Sequence, residues 1–415
     1  MTWFGNQIEY KDGTQLDAAG RLRTSTPTPL FSNTQEYTSA PLFIENYTAG
    51  TATATHTQAL NSTILSTAAT TSANRAMRHT KAYFRYQPGS SYLVKMTGVL
   101  AYSGTPTGAS VARIGYYDDR NGIFFGRDAT GYHVCIRSDT SGSVVNTELV
   151  YQTAWNMDKM DGTGISGLTV DFTKEQYFTI DFLWHGVGRV RWGLQIGGIN
   201  YPIHQYTAAN TLNNPYMRTA NLPARYEVFN EGGAGSIISM LAGCMSLSSE
   251  AGAPTENSYT FNVGTKGVVS ASLANTAAMT PIFSMRTVDT FNSLTYRGHI
   301  HIDNISFLTK TNDIYWELVF NSTLTGATWA NSVDATYSGI EYDLAATAMT
   351  GGVVVASGYA LSGSGSTTQF VSNIIENNLI LSRTYANVRD TFTLCARGIG
   401  GAATCYADID YTEQY

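Results

Sequence analysis

Charge is scarce in this sequence. Only 13% of its 415 residues are Asp, Glu, Lys or Arg, about half of what soluble domains usually carry. Helical enzymes draw on Glu, Lys and Leu, so the shortage argues against a helical catalyst. No basic run interrupts a net charge of −6, which removes the electrostatic footprint of a nucleic-acid binder. No apolar run reaches membrane-spanning length, and the N-terminus lacks the basic start and apolar core of a secretory signal. The expectation is a protein kept in its compartment of synthesis or released by lysis, with neither nucleic acid nor membrane insertion among its partners. Cysteine is sparse as well. Cys135, Cys244, Cys395 and Cys405 form no CxxC, so no zinc site is expected. Cys395 and Cys405 flank RGIGGAAT and could meet across a hairpin, although free thiols are the favoured reading. GxSxG, HExxH and the P-loop are absent, as are heptads and tandem repeats of fixed period.

What is present points to strands. Hydrophobic residues make up 43% of the chain, enough for a core, and Gly (39) and Tyr (26) are abundant. The clearest periodicity lies in residues 171–198. Phe178, Ile180, Phe182 and Trp184 alternate with more polar neighbours, as do Val190, Trp192, Leu194 and Ile196 after a glycine-flanked break. Such alternation reads as two half-buried strands, each inward side chain contributing roughly 1.5–3 kcal/mol. Keeping the apolar residues on one face requires an odd loop, most simply Gly186–Val187–Gly188, with Phe182 beside Trp192 and Gly188 left-handed. On the outer face Asp181 then lies diagonal to Arg191, as a cross-strand ion pair.

Turn signals at Gln87–Pro88–Gly89, Asp119–Arg120–Asn121–Gly122 and Asp128–Ala129–Thr130–Gly131 separate further strands. Strands recurring at about 8–12-residue spacing predict a β-sandwich, jelly-roll-like, over 61–252. Residues 253–415 read as a second, smaller all-β domain. Its strand candidates include HIHIDNISFLT, IYWELVFN, TGGVVVASGYAL, NNLILSRTY, DTFTLCARG and TCYADIDYTEQ. Residues 1–60 read as an extended N-terminal arm, too poor in large apolar groups to form its own core. Its backbone must be satisfied by a partner surface or by water. Within it Arg21 and Arg23 are candidate clamps for a partner's carboxylates, and Leu22, Leu30 and Phe31 candidate apolar anchors.

Every chemical constellation has a plainer reading. Asp118, Asp119 and Asn121 suit a hairpin turn better than a calcium loop, which needs a distal Glu. Asp158 and Asp161 suit a loop with capping carboxylates. His299 and His301 share one strand face, as zinc-binding histidines can, but lack a third ligand. Glu227, Glu231 and Glu250 are the carboxylates available for glycoside hydrolysis, a reading placed low. Tyr116, Tyr117, Trp155, Tyr201, Tyr206 and Tyr216 could line a sugar groove or, better, a protein interface. No catalytic residue, metal or cofactor is expected, and the protein is read as not an enzyme.

Several segments, in order, resemble a family of tailed-bacteriophage virion structural proteins. They are DAAGRLRTSTPTPLF, RYQPGSSYLV, RIGYYDDRNGIFF, AWNMDKMDGTGISGLTVDF, IDFLWHGVGRVRWGLQIGG and LPARYEVFN, with TLTGATW, EYDLAATAMTGG and SGYAL downstream. The resemblance implies virion assembly rather than catalysis. The expectation is a capsid-exterior decoration or head-fibre protein, homotrimeric and assembled in the host cytoplasm. Its arm would contact other virion proteins such as the major capsid protein. The alternative is a tail or baseplate protein that recognises host surface glycans.

Overall fold

The structure is a computed structural model describing residues 27–251, 258–268, 270–331, 335–363, 367–370 and 381–414. Within them the chain is all-β, with two single-turn 3-10 helices, Gln58–Leu60 and Gln152–Ala154. It divides into two compact units. The first takes residues 27–39, 48–77 and 86–251; the second takes 40–47, 78–85 and 258 onward. Two early segments thus belong with the C-terminal unit, a placement that no local pattern announces.

The first fifteen strands are β1 (Thr28–Asn33), β2 (Ile44–Ala49), β3 (Thr53–Thr57), β4 (Ser62–Ser66), β5 (Arg75–Thr80), β6 (Tyr92–Ser103), β7 (Gly108–Tyr117), β8 (Gly122–Arg127), β9 (Tyr132–Ser138), β10 (Val145–Tyr151), β11 (Gln176–Phe182), β12 (Arg189–Ile196), β13 (Ile199–Thr207), β14 (Ala224–Gly235) and β15 (Ser239–Ser249). Among the described residues, one sheet runs β13-β12-β11-β6-β15-β4-β3, with β1 also on β15. The other runs β10-β9-β8-β7-β14-β5-β2. Their apolar faces meet: the Tyr116 and Phe182 rings lie 5.4 Å apart and Phe125 and Phe178 5.0 Å apart. This is the expected β-sandwich. Its turns fall where glycine and Asx residues stand. Ser90 N–H donates to the Gln87 carbonyl with Gly89 at φ +93, and Asp118 caps the β7–β8 turn.

The β11–β12 hairpin keeps the predicted inner face: Phe178, Ile180, Phe182, Val190, Trp192 and Leu194 are all buried. Its register is two residues away from the expected one. Phe182 faces Val190 and Ile180 faces Trp192, because a slip of two leaves every side chain on the same face. The loop is accordingly longer. Gly188 N–H donates to the Trp184 carbonyl at 2.8 Å, and His185 (φ +39) and Gly186 (φ +77) are the left-handed residues. Gly188 is needed for a different reason: a Cβ there would lie 1.7 Å from the Leu183 carbonyl oxygen. Asp181 and Arg191 are directly opposite, not diagonal, and ion-paired.

Residues 28–60, expected as part of an extended arm, are built into the body instead. β1 pairs antiparallel with β15, from Thr28 opposite Ser249 to Asn33 opposite Met245. β3 pairs with β4. The backbone groups of this stretch therefore find partners in their own chain. Leu30 and Phe31 are half-buried on β1. Arg21, Leu22 and Arg23 lie outside the described residues.

Besides two two-stranded ribbons, Thr290–Phe291 with Leu294–Thr295 and Thr323–Thr325 with Ala348–Thr350, the second unit has two larger sheets among the described residues. One takes Tyr259–Gly264, Ala403–Gln414, His299–Lys310 and Thr367–Phe370 in that order, with Ala271–Leu273 also on Ala403–Gln414. The other runs Trp329–Asn331, Ile340–Asp343, Thr280–Thr287, Thr391–Gly398, Ile314–Phe320 and Val353–Ala360. Phe307 and Trp316, 5.3 Å apart, join the two in a core that includes Ile302, Leu318, Leu394 and Ile409. Five of the named strand candidates form. NNLILSRTY does not in its described part: Leu381 is a core residue, and Arg383 makes only an isolated bridge to Arg389.

Candidate functional site

An extra residue in β15 shapes a cavity on the first unit. Ala242 faces Gly98 and Met245 faces Met96, so Gly243 and Cys244 together oppose Thr97. Such a β-bulge bends the strand and re-aims its side chains. Glycines permit it: a Cβ on Gly243 would lie 2.4 Å from Thr97 Oγ1, and one on Gly98 2.4 Å from the Leu241 carbonyl. Side chains engage most of the freed backbone groups. Gln35 Nε2 donates to the Ala242 and Gly243 carbonyls at 2.8 and 2.6 Å. The Tyr226 hydroxyl sits between the Thr97 and Cys244 carbonyls at 2.8 and 2.7 Å. Cys244 N–H donates to Thr97 Oγ1 at 2.9 Å. Gln35, wholly buried, accepts from the Thr63 hydroxyl in turn.

On the outward side of this bulge four strands meet. Ser32 of β1 faces Ser246 of β15, which faces Lys95 of β6; one row on, Thr97 faces Tyr177 of β11. Together with Asn33, Thr34, Cys244 and Met245 they line a cavity of about 330 Å³, at the small end of ligand sites. Its wall offers hydroxyls, an amide, one aromatic ring and one ammonium group. It contains no carboxylate or imidazole, the usual general acids and bases. Burial pushes the Cys244 thiol up, and nearby Glu175 adds to this; burial likewise raises Tyr177, with Cys244 reinforcing. All four cysteines are free. Cys135, Cys395 and Cys405 are buried and held at about 12, while Cys244 is half-exposed. Sequence reasoning missed this cavity because its residues come from four segments far apart in the chain.

The carboxylates considered for catalysis are tied up. Glu227, buried on β14, pairs with Arg75 and accepts from the Tyr117 hydroxyl at 3.2 Å. Asp119 receives Arg75 at 2.6 Å and Arg225 at 2.7 Å. Glu231 pairs with Arg113 at 2.8 Å, whose guanidinium lies over the Phe229 and Phe124 rings. Glu250 accepts from the Ser91 hydroxyl at 2.8 Å. Arg75, Arg113 and Arg225 thus pair with Glu227, Glu231 and Asp119, of which Glu231 and Asp119 stay partly exposed.

The remaining candidates follow their plainer readings. Asp118 Oδ1 accepts from the Arg120 and Asn121 N–H groups, both at 2.8 Å, as a hairpin-turn carboxylate does. Asp158 caps its loop through Met160 and Ser166 N–H at 2.9 and 2.7 Å, and Asp161 through Thr163 N–H at 2.9 Å. His299 and His301 share a face, their rings 6.5 Å apart, and His299 Nε2 donates to the Tyr83 carbonyl at 2.7 Å. Among the described residues no group of three or more His, Cys, Asp or Glu could hold a metal ion. Of the six aromatics considered for a sugar groove, Tyr116, Tyr117, Trp155 and Tyr216 are buried in the core. Tyr201 and Tyr206 remain half-buried on the edge strand β13.

No protein-family model matches this chain, and no curated protein matches it in sequence. Among solved structures it is similar to a point mutant of the Emp46p carbohydrate recognition domain at 8% identity and TM-score 0.31, covering 54% of this chain and 97% of that one. It is similar to lectin I-B4 from Griffonia simplicifolia at 12% identity and TM-score 0.31, covering 53% and 99%. It is also similar to an endo-1,3-beta-glucanase from Streptomyces sioyaensis at 10% identity and TM-score 0.33, covering 55% and 99%. At these TM-scores the likeness transfers neither ligand nor activity.

Proposed function

We propose that this chain is a structural protein of a bacteriophage particle, carried on the capsid exterior as a decoration or head-fibre protein. It works packed against neighbouring copies of itself and against the major capsid protein, without catalysis. The observation that carries this reading is the edge strand Val353–Ala360. It pairs with Ile314–Phe320 on one side, and no described residue pairs with its other side. Its sequence VVVASGYA holds no charge, and Val353, Val354 and Tyr359 are 45%, 50% and 65% exposed. Such edges are commonly protected by charge, proline or a bulge. This one has a bulge at Val355 but neither charge nor proline, and its exposed apolar side chains fit a protein whose working state covers them. A second copy suits this edge because two such strands meet without like-charge repulsion. The family resemblance of the motifs points the same way, and the pairing of Glu227 with Arg75 and of Glu231 with Arg113 supports a structural role for both.

Analytical ultracentrifugation of the full chain tests this. The expected result is concentration-dependent self-association that the Val354→Lys/Tyr359→Lys double variant abolishes with unchanged circular dichroism. A wild-type chain that stays monomeric at high concentration would overturn the self-packing reading.

A second reading, recognition of host surface glycans by the same particle protein, is favoured by one observation. The cavity beside Tyr177 presents four hydroxyl side chains and an aromatic ring on the solvent face of the sheet. Hydroxyls and a flat ring are the groups that hold a sugar's polar edge and apolar face.

A further inference from the structure

We infer that the cavity over the β15 bulge takes a saccharide bearing a carboxylate, and that Lys95 sets this preference. The inference rests on the glycan reading above and gives it a ligand class. Lys95 is the single charged residue in the lining. It stands on β6 between Ser246 on one side and Thr179 on the other. These two directly opposite residues are neutral. The nearest carboxylates lie outside the lining: Asp181, diagonal to Lys95, is ion-paired with Arg191, and Glu175 acts on Cys244 from beyond the lining. An ammonium group among lining hydroxyls favours a ligand anion, and a charge-assisted hydrogen bond there is stronger than a neutral one.

The remaining lining argues for a sugar rather than a bare anion. The cavity, about 330 Å³, exceeds what a small inorganic ion fills. Ser32, Thr34 and Ser246 line this space, and hydroxyl residues there offer donors and acceptors to a ring's hydroxyl groups. Tyr177 stands across from Thr97 and closes the β11 side. The bulge makes the floor rigid, because Gln35 and Tyr226 hold its carbonyls from beneath. Preorganised polar groups of this kind favour binding by lowering its ordering cost.

Cys244 supplies a reporter. It lines the cavity and is the half-exposed thiol, whereas Cys135, Cys395 and Cys405 are buried.

The test uses the full chain and pairs of methyl glycosides: glucuronide against glucoside, galacturonide against galactoside, and N-acetylneuraminide against its carboxyl-reduced form. Inorganic phosphate is included as an anion without a ring. Titration calorimetry gives affinities, and the alkylation rate of Cys244 reports occupancy. At least one acidic glycoside should bind about tenfold or more tighter than its neutral counterpart, and should slow alkylation. Lys95→Met should remove the preference, while Tyr177→Ala weakens acidic and neutral partners alike. Equal binding of acidic and neutral partners overturns the carboxylate inference but leaves the glycan reading standing. Binding of no glycoside removes both. Phosphate binding as tight as the best glycoside, or an acid preference that survives Lys95→Met, overturns the inference as well.

Discussion

The side-chain amide of Gln35 donates to the Gly243 carbonyl over 2.6 Å, across more than two hundred residues of chain. One buried glutamine thereby holds both the start of the described chain and the bulge beneath the cavity. Removing it strands the Ala242 and Gly243 carbonyls and the Thr63 hydroxyl away from water. Each buried orphan costs about 1–3 kcal/mol. Gln35→Ala should lower stability by about 2 kcal/mol or more in urea unfolding and speed Cys244 alkylation. Gln35→Glu should be worse at neutral pH, since a carboxylate can only accept. Wild-type stability in Gln35→Ala would contradict this role.

Gly188 is a matter of space, not of backbone handedness. Its missing Cβ makes room for the Leu183 carbonyl oxygen, which would otherwise be 1.7 Å away. A backbone atom cannot swing aside as a side chain can, so Gly188→Ala should cost more than about 3 kcal/mol. Gly142, at φ +85 with open space around it, provides the comparison: its alanine variant should cost about 1–2 kcal/mol. Urea midpoints for the two variants check the ranking.

Acid should weaken the first unit through His133. Burial holds this imidazole down at about 4, with Asp128 at 3.5 Å opposing the shift and Arg113 adding to it. In the unfolded chain it titrates near 6.5. Between those values the unfolded state binds more protons. The contribution is therefore complete above about pH 6.5 and is lost as pH falls toward 4, at up to about 1.4 kcal/mol per unit. His133→Gln should show a shallower loss of stability between about pH 7 and pH 5 than the wild type. Identical slopes would contradict the assignment.

Local patterns carried the faces and turns, because strand alternation and Asx–Gly chemistry are written in neighbouring residues. Phe178, Ile180, Phe182 and Trp192 point inward as read, and Asp118 and Asp128 sit in turns as read. Register was not legible, since the Phe182–Trp192 and Phe182–Val190 pairings bury the same side chains. The partners of residues 28–60 were not legible either: nothing near Thr28 announces Ser249. The cavity escaped for the same reason. Ser32, Lys95, Tyr177 and Ser246 are ordinary residues until long-range pairing sets them side by side, and Gly243 marks a bulge only once Thr97 is known to face it. The four buried aromatics considered for a sugar groove show the converse, as composition does not distinguish a core tyrosine from a surface one.

The most direct test of the proposed particle-bound role is quantitative mass spectrometry of density-purified phage particles from host cells that produce them together with the full chain or with one lacking residues 1–26. That cut spares β1 and removes Arg21, Leu22 and Arg23. The expected result is many copies of the full chain per particle, with the shortened chain folded but left in the soluble fraction. Particles that lack the full chain while it accumulates free in the lysate would contradict the assignment, and normal incorporation of the shortened chain would contradict anchoring through those three residues.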